Sequence, residues 1–162
     1  MKPAVRIGIG FDFHPFDEGQ GLFLGGVKIP HSKSLHGHSD ADVLTHSIID
    51  ALLGAASLGD IGTHFPDNNP RYAGISSLTL LTQTFELIRD KAWLVGNVDV
   101  VVIAEEPPIN PYRDAIQDKL SEILRILPGD ISIKATTMEG KGPIGRKEGI
   151  AVQAVVLLYK EV

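Results

Sequence analysis

Hydrophobic and polar positions alternate from the start of the chain. In "VRIGIGF" (5–11), Ile7, Ile9 and Phe11 share one face and Gly8 and Gly10 the other. This is the period-two pattern of a strand whose glycine face admits a second backbone closely. "GLFLGGVKIP" (21–30) reads as a short hairpin turned at Gly25-Gly26. The period then lengthens. Ser39 offers a helix cap with Asp42 three residues on, and "VLTHSIIDALLGAASLG" carries the helix to near Gly59. A second helix from Ser76 or Ser77 puts Leu78, Leu81, Phe85 and Ile88 on one stripe. A third has Asn110 as cap, Pro111 in the first turn, and Ile116, Leu120, Ile123, Leu124 and Leu127 as its apolar positions before "LPGD". Strands over 97–105, 131–137 and 149–159 complete the pattern.

Two of these strands are apolar on both faces. In "GIAVQAVVLLY", Ile150, Val152, Ala154, Val156 and Leu158 point one way, and Ala151, Val155 and Leu157 the other. Three helices cover one face of such a sheet but are few for two. The uncovered face therefore meets another copy of the chain, unless the helices of one monomer sandwich the sheet. No repeat, low-complexity tract or linker interrupts the 162 residues, so the expectation is a single domain over 1–162, with no second domain fused to it.

Composition narrows the function. The chain has no cysteine, so a metal must be held by His, Asp, Glu or backbone oxygen. A net charge of −5 gives no footprint for nucleic acid or an anionic membrane. The start, "MKPAVRIGIGFD", lacks the apolar core of a signal peptide, and no stretch approaches the length of a membrane span. A soluble protein is expected, in a bacterial cytoplasm or, as a mature form, an organelle stroma.

All six histidines precede Phe65, and three lie in "HGHSDADVLTH" (36–46). In "DFH", at a strand end, Asp12 and His14 share a face. With His46 from the helix they make an Asp-His-His set that leaves one position of a tetrahedral zinc open. Spacing alone serves satisfied or surface histidines equally well. Asp42 and Asp50, four residues either side of His46, are placed to orient its second ring nitrogen. The helix N-terminus at Ser39–Asp42 offers N–H groups to an anion, although Asp40 and Asp42 oppose one. "GDIGTHFPDNNP" reads as a mobile substrate loop or a plain connection. "KATTMEGKGPIGRKEG" offers threonine hydroxyls to phosphate and Glu139 to a hard cation, and lacks the P-loop spacing. Two histidines and a carboxylate also suit a mononuclear iron oxygenase, but the order D-x-H…H with a helical ligand departs from that pattern.

Together "GFDFH", "HSDADVLTHSIIDALLGAASLGDIGTHFPD", "GNVDVVVIAEEP" and "KATTMEG…GRKEGIA" resemble the 2-C-methyl-D-erythritol 2,4-cyclodiphosphate synthase family, in order from residue 6 to about 158. The resemblance implies an α+β fold, a mixed β-sheet with helices on one face plus a β-hairpin, in a homotrimer with the sheets around the three-fold axis. It implies cyclisation of 4-diphosphocytidyl-2-C-methyl-D-erythritol 2-phosphate with release of CMP. By motif, Asp12, His14 and His46 match zinc ligands, and Glu139 the ligand of a second ion, magnesium or manganese. His38 and Thr137 match catalytic positions, with Ser39 on the substrate. Asp60, Ile61, Gly62, Phe65, Pro66, Asp67, Asn68 and Asn69 match the methylerythritol loop. Ala104, Glu105, Glu106, Pro107, Pro108, Ile109, Asn110 and Thr136 match the cytidine pocket. Phe11, Pro143, Arg146 and Glu148 match an axial cavity that in the family holds an isoprenoid diphosphate. His31, His36 and His64 match nothing functional and read as surface residues. Two departures stand out: Pro108, where the family usually carries lysine, and Pro143, where an aromatic is common. They leave open a catalytically silent trimer that binds metal and cytidine nucleotide, and they predict weaker isoprenoid binding.

Overall fold

The computed structural model describes residues 4–161. In chain order the elements are β1 (Val5–Glu18), β2 (Leu22–Leu24), β3 (Val27–Ile29), β4 (Lys33–Leu35), α1 (Val43–Ala55), α2 (Ile61–His64), α3 (Ser77–Asp90), β5 (Leu94–Ile103), α4 (Arg113–Leu124), β6 (Ile131–Thr136), α5 (Gly142–Gly145) and β7 (Gly149–Tyr159). The main sheet has the order β4-β1-β7-β5-β6, and β2 and β3 form a separate hairpin. β5 and β6 run parallel while the other pairs are antiparallel. The expected α+β fold with a mixed sheet and a hairpin is the observed one. No described helix is long and apolar enough to cross a membrane.

The glycine face of β1 is the one that receives α1. A Cβ at Gly8 or Gly10 would collide with the Ala51 or Ser47 carbonyl oxygen of α1. The helix therefore lies directly on the strand backbone. Behind it, Ile150, Val152, Ala154, Val156 and Leu158 of β7 and Val98, Val100 and Val102 of β5 are buried, as are Ile48, Ile49, Leu52 and Leu53 of α1. Each of these Val, Ile and Leu side chains contributes about 1.5–3 kcal/mol of hydrophobic stabilisation. Among the described residues no element covers the opposite face. Ile7 is 74%, Ile9 63% and Phe11 60% exposed there, with Val155 of β7 paired to Ile9.

Several boundaries differ from the pattern-based reading. β1 continues to Glu18, because β7 pairs with it as far as Pro15 and β4 takes over from Phe16 to Glu18. Asp12 and His14 thus stand within a strand rather than at its end. α1 is capped by Asp42, not Ser39, and stops at Ala55. α4 begins at Arg113, since Asn110–Tyr112 forms a separate 3-10 turn. It ends where Arg125 turns left-handed at φ 54°, which leaves Leu127 72% exposed and outside the apolar stripe. β5 starts early, at Leu94, through a bulge between Val95 and Asn97.

Candidate functional site

Asp12, His14 and His46 meet where β1 passes α1. His14 Nε2 lies 2.9 Å from Asp12 Oδ2 and 3.2 Å from His46 Nδ1, and His46 Nδ1 lies 3.3 Å from the same Oδ2. A four-coordinate ion with bonds of about 2.0–2.2 Å holds its ligand atoms about 3.3 Å apart, so the trio already has the spacing of three ligands around one cation. Asp12 Oδ2 is buried and receives no aligned hydrogen bond, a costly state for a carboxylate oxygen unless a cation completes it. Among the described residues this trio is the only cluster of three His, Asp or Glu side chains so gathered. Glu139 joins no such cluster.

The neighbours of each ring fix which nitrogen faces the site. His14 Nδ1 donates to the His36 carbonyl, which leaves Nε2 as a lone-pair donor. Ser77 Oγ donates to Asp40 Oδ1. It therefore accepts from His46 Nε2 at 2.8 Å, and His46 Nδ1 is left free for the site. Ser39 Oγ stands 3.1 Å from the same Nε2. Asp42 and Asp50, expected to orient His46, do other work. Asp42 is fully buried at the N-terminus of α1 and accepts from Thr45 N, Gly25 N and Gly26 N, while Asp50 accepts from Ile61 N at 2.7 Å. Asp42 thus occupies the helix end that the sequence offered to an anion.

Burial raises the Asp12 carboxyl, but the His14 and His46 rings facing it prevail and bring its pKa down to about 2. Burial lowers the His14 imidazole, but its contacts with Asp12 and the His36 carbonyl prevail and raise it above its ordinary value.

The trio opens into a cleft of about 480 Å³, which His38, Ser39, Ile61, Gly62, Phe65 and Asp67 also line. The "GDIGTHFPDNNP" segment is folded rather than a simple loop. Asp60 caps α2 by accepting from Thr63, Asn69 caps a 3-10 turn over Pro70–Tyr72, and buried Phe65 meets Tyr72 edge-on at 5.5 Å. Asp60, Pro66, Asn68 and Asn69 are not on the cleft wall. Tyr72, Leu80 and Phe13 are, and no pattern in the sequence singled them out.

A second cleft, of about 240 Å³, is lined by Ala104, Glu105, Pro107, Pro108, Ile109 and Asn110 with Ala135, Thr136 and Thr137. Glu106 is absent from that wall. The two clefts have no lining residue in common, so His38 and Thr137, expected as a pair, stand in different clefts of one chain. Glu139 is exposed and left-handed at φ 52°, with its N–H on Thr137 Oγ1 at 3.2 Å. Arg146 pairs with Glu148 at 2.6 Å. Both line a third cleft whose walls include neither Phe11 nor Pro143.

His31 is not the surface residue expected. Its side chain is 10% exposed, stacks on Phe16 at 5.1 Å and faces Glu106 at 3.3 Å. His64 is half-buried on the Leu58 carbonyl. His36, paired with Asp17, is exposed as expected.

The chain matches the YgbB family over residues 5–159. It belongs to that family. It is 54% identical over 98% of its length, and 96% of the relative's, to the 2-C-methyl-D-erythritol 2,4-cyclodiphosphate synthase of a Nostoc species. It is 51% identical, over the full length of both, to the synthase of the same name from Porphyromonas gingivalis. Among solved structures, IspF of Plasmodium falciparum in complex with CDP superposes with TM-score 0.86 at 39% identity over the whole of both chains. The bifunctional IspDF of Campylobacter jejuni superposes with TM-score 0.95 at 40% identity; 99% of the present chain spans 43% of that one. The resemblance read from the motifs, and with it the reading of an enzyme of this family, is borne out.

Proposed function

We propose that this YgbB-family chain converts 4-diphosphocytidyl-2-C-methyl-D-erythritol 2-phosphate to 2-C-methyl-D-erythritol 2,4-cyclodiphosphate and CMP. The observation that carries the reading is the Asp12–His14–His46 trio, pre-spaced for a cation and with both ring tautomers set toward it. One P–O bond forms, from the 2-phosphate oxygen to the β-phosphorus, as the bond to the CMP oxygen breaks. The nucleophile is already an anion, so the chain needs no general base; its task is alignment and charge neutralisation.

A zinc ion on Asp12, His14 and His46, and magnesium or manganese on Glu139, would supply Lewis acidity and neutralise the diphosphate. The trio's donor set, two imidazoles and one carboxylate, suits zinc. His38 and Thr137 hydrogen-bond the reacting phosphoryl oxygens, and Ser39 sits beside them. Ile61, Gly62, Phe65 and Asp67 face the methylerythritol part, and Asp60, Pro66, Asn68 and Asn69 belong to the segment that carries them. Ala104, Glu105, Pro107 to Asn110 and Thr136 receive cytidine in the smaller cleft, in keeping with the CDP complex of the Plasmodium falciparum relative.

Because the two clefts share no wall, we assign one catalytic centre to the larger cleft of one copy and the smaller cleft of its neighbour. The exposed Ile7, Ile9, Phe11 and Val155 face supports packing of three such sheets around an axis. An apolar face of that kind is an assembly surface. An isoprenoid diphosphate on that axis would meet an Arg146 already paired with Glu148, and the missing aromatic at Pro143 makes its binding weak.

Phosphorus NMR of the protein with the diphosphocytidyl substrate, zinc and magnesium tests the reading. A cyclic diphosphate should appear together with CMP and disappear with chelator. Metal and nucleotide binding without product would establish the silent trimer instead.

A further inference from the structure

The segment that lines the smaller cleft is poor in backbone tethers of its own, because Pro107 and Pro108 have no N–H to give. Two side chains act in their place. Glu105 Oε1 accepts the Met138 N–H at 2.8 Å, between Thr137 and Glu139. Glu106, outside the cleft wall, faces the other way in its bonding. Its Oε2 lies 2.9 Å from Lys147 Nζ and its Oε1 3.3 Å from His31 Nε2. One carboxylate thereby joins three connections far apart in sequence: β3 to β4, β5 to α4, and α5 to β7.

Each partner is itself held. His31 stacks flat on Phe16, at 5.1 Å and 16° between planes, and its carbonyl accepts Gly21 N–H at 2.9 Å. Lys147 has φ 60°, a left-handed backbone that glycine adopts freely and that crowds the Cβ of any other residue. A lysine where glycine is the easier residue, with its ammonium on Glu106, marks a side chain kept for its contact. The Glu106 carboxyl lies below its ordinary range, chiefly through its bond to Lys147.

We propose that Lys147 and His31 are positioning residues that set the nucleotide-binding segment through Glu106. The inference rests on the reading of the smaller cleft as a cytidine nucleotide site. The Lys147–Glu106 pair is half exposed, at 56% and 30%. Such pairs add little to global stability, so the effect falls on the placement of the segment rather than on the melting temperature.

Calorimetric titration of CDP into the full-length protein, with melting curves alongside, tests this. Lys147→Gly and Lys147→Met should each weaken CDP roughly fivefold. Lys147→Arg, which keeps the cation, should stay within about twofold of the wild type. Lys147→Gly should melt no lower than the wild type, since glycine removes the left-handed strain, so affinity and stability part company. Adding Lys147→Met to Glu106→Gln should cost nothing beyond Glu106→Gln alone. CDP affinity unchanged in both Lys147 variants, or lost only in step with melting temperature, overturns the positioning role. Wild-type protein that does not bind CDP overturns the nucleotide-site reading, and this inference with it.

Discussion

At the scale of single residues, the trio's chemistry depends on which protons it holds. Asp12, with its pKa near 2, stays ionised over the whole neutral range; its stabilising contribution exists above the unfolded value of 3.8 and is lost only as pH falls toward 2. His14 behaves oppositely. Its pKa is raised above 6.5 in the fold, so its contribution to the metal-free protein is complete below 6.5 and is lost as pH rises through the folded value. A cation must displace that proton, and apparent affinity falls about tenfold for each pH unit below the His14 pKa. The gain in melting temperature on adding zinc to chelator-stripped protein should therefore be larger at pH 8 than at pH 6, and an equal or smaller gain at pH 8 would contradict this. The trio was legible in the sequence because a D-x-H pair on a strand shares a face. Asp40 and Ser77, which fix the His46 tautomer, were not. They lie 37 residues apart, and nothing local marks two ordinary polar residues, one before α1 and one at the start of α3, as partners. His31 was misread for the same reason: its burial comes from Phe16 and Glu106, brought in by other segments.

At the scale of elements, Asp42 ties α1 to the β2–β3 hairpin. Gly25 and Gly26 turn the hairpin with φ 57° and 73°, the geometry of a two-residue turn with both central residues left-handed. Their N–H groups end on the Asp42 carboxylate at 2.9 and 2.7 Å, beside the cap bond to Thr45. Asp42→Ala should remove a cap and strand two hairpin donors, Gly25 N–H buried and Gly26 N–H part-buried. A loss of roughly 2–4 kcal/mol is expected, read as a fall in the urea midpoint with unchanged slope. A loss under about 0.5 kcal/mol, the range of neutral surface changes, would show that water replaces the carboxylate. The sequence pattern located this helix but ran it on to near Gly59 and chose Ser39 as its cap, because the S-x-x-D spacing satisfies the same local rule. What decides for Asp42 is the hairpin, sixteen and seventeen residues upstream, which no local rule includes. The glycine face of β1 was readable in advance, since alternation with Ile7 and Ile9 leaves close backbone packing as the reason for Gly8 and Gly10.

At the scale of the whole molecule, the sheet keeps one apolar face exposed and the candidate site residues line two separate clefts. Double-sided apolar strands announced an uncovered face, and Ile7, Ile9 and Phe11 stand exposed on it. Periodicity has no term for how many copies meet there; the number three came only with the motifs' resemblance to a family. The separation of the candidate site residues has the same character: motif order along the chain does not reveal that the Asp12–His14–His46 trio and the 104–110 segment line different clefts. In the function proposed above, two neighbouring copies complete one catalytic centre. Co-expression of a His46→Ala chain with a Glu139→Gln chain, each inactive alone, tests it most directly. In randomly mixed trimers with head-to-tail interfaces, about a quarter of the centres would pair an intact metal trio with an intact Glu139. Recovery of about that fraction of wild-type CMP release and cyclic diphosphate formation is expected. Mixed trimers as inactive as their parents would place the whole centre within one chain and contradict it.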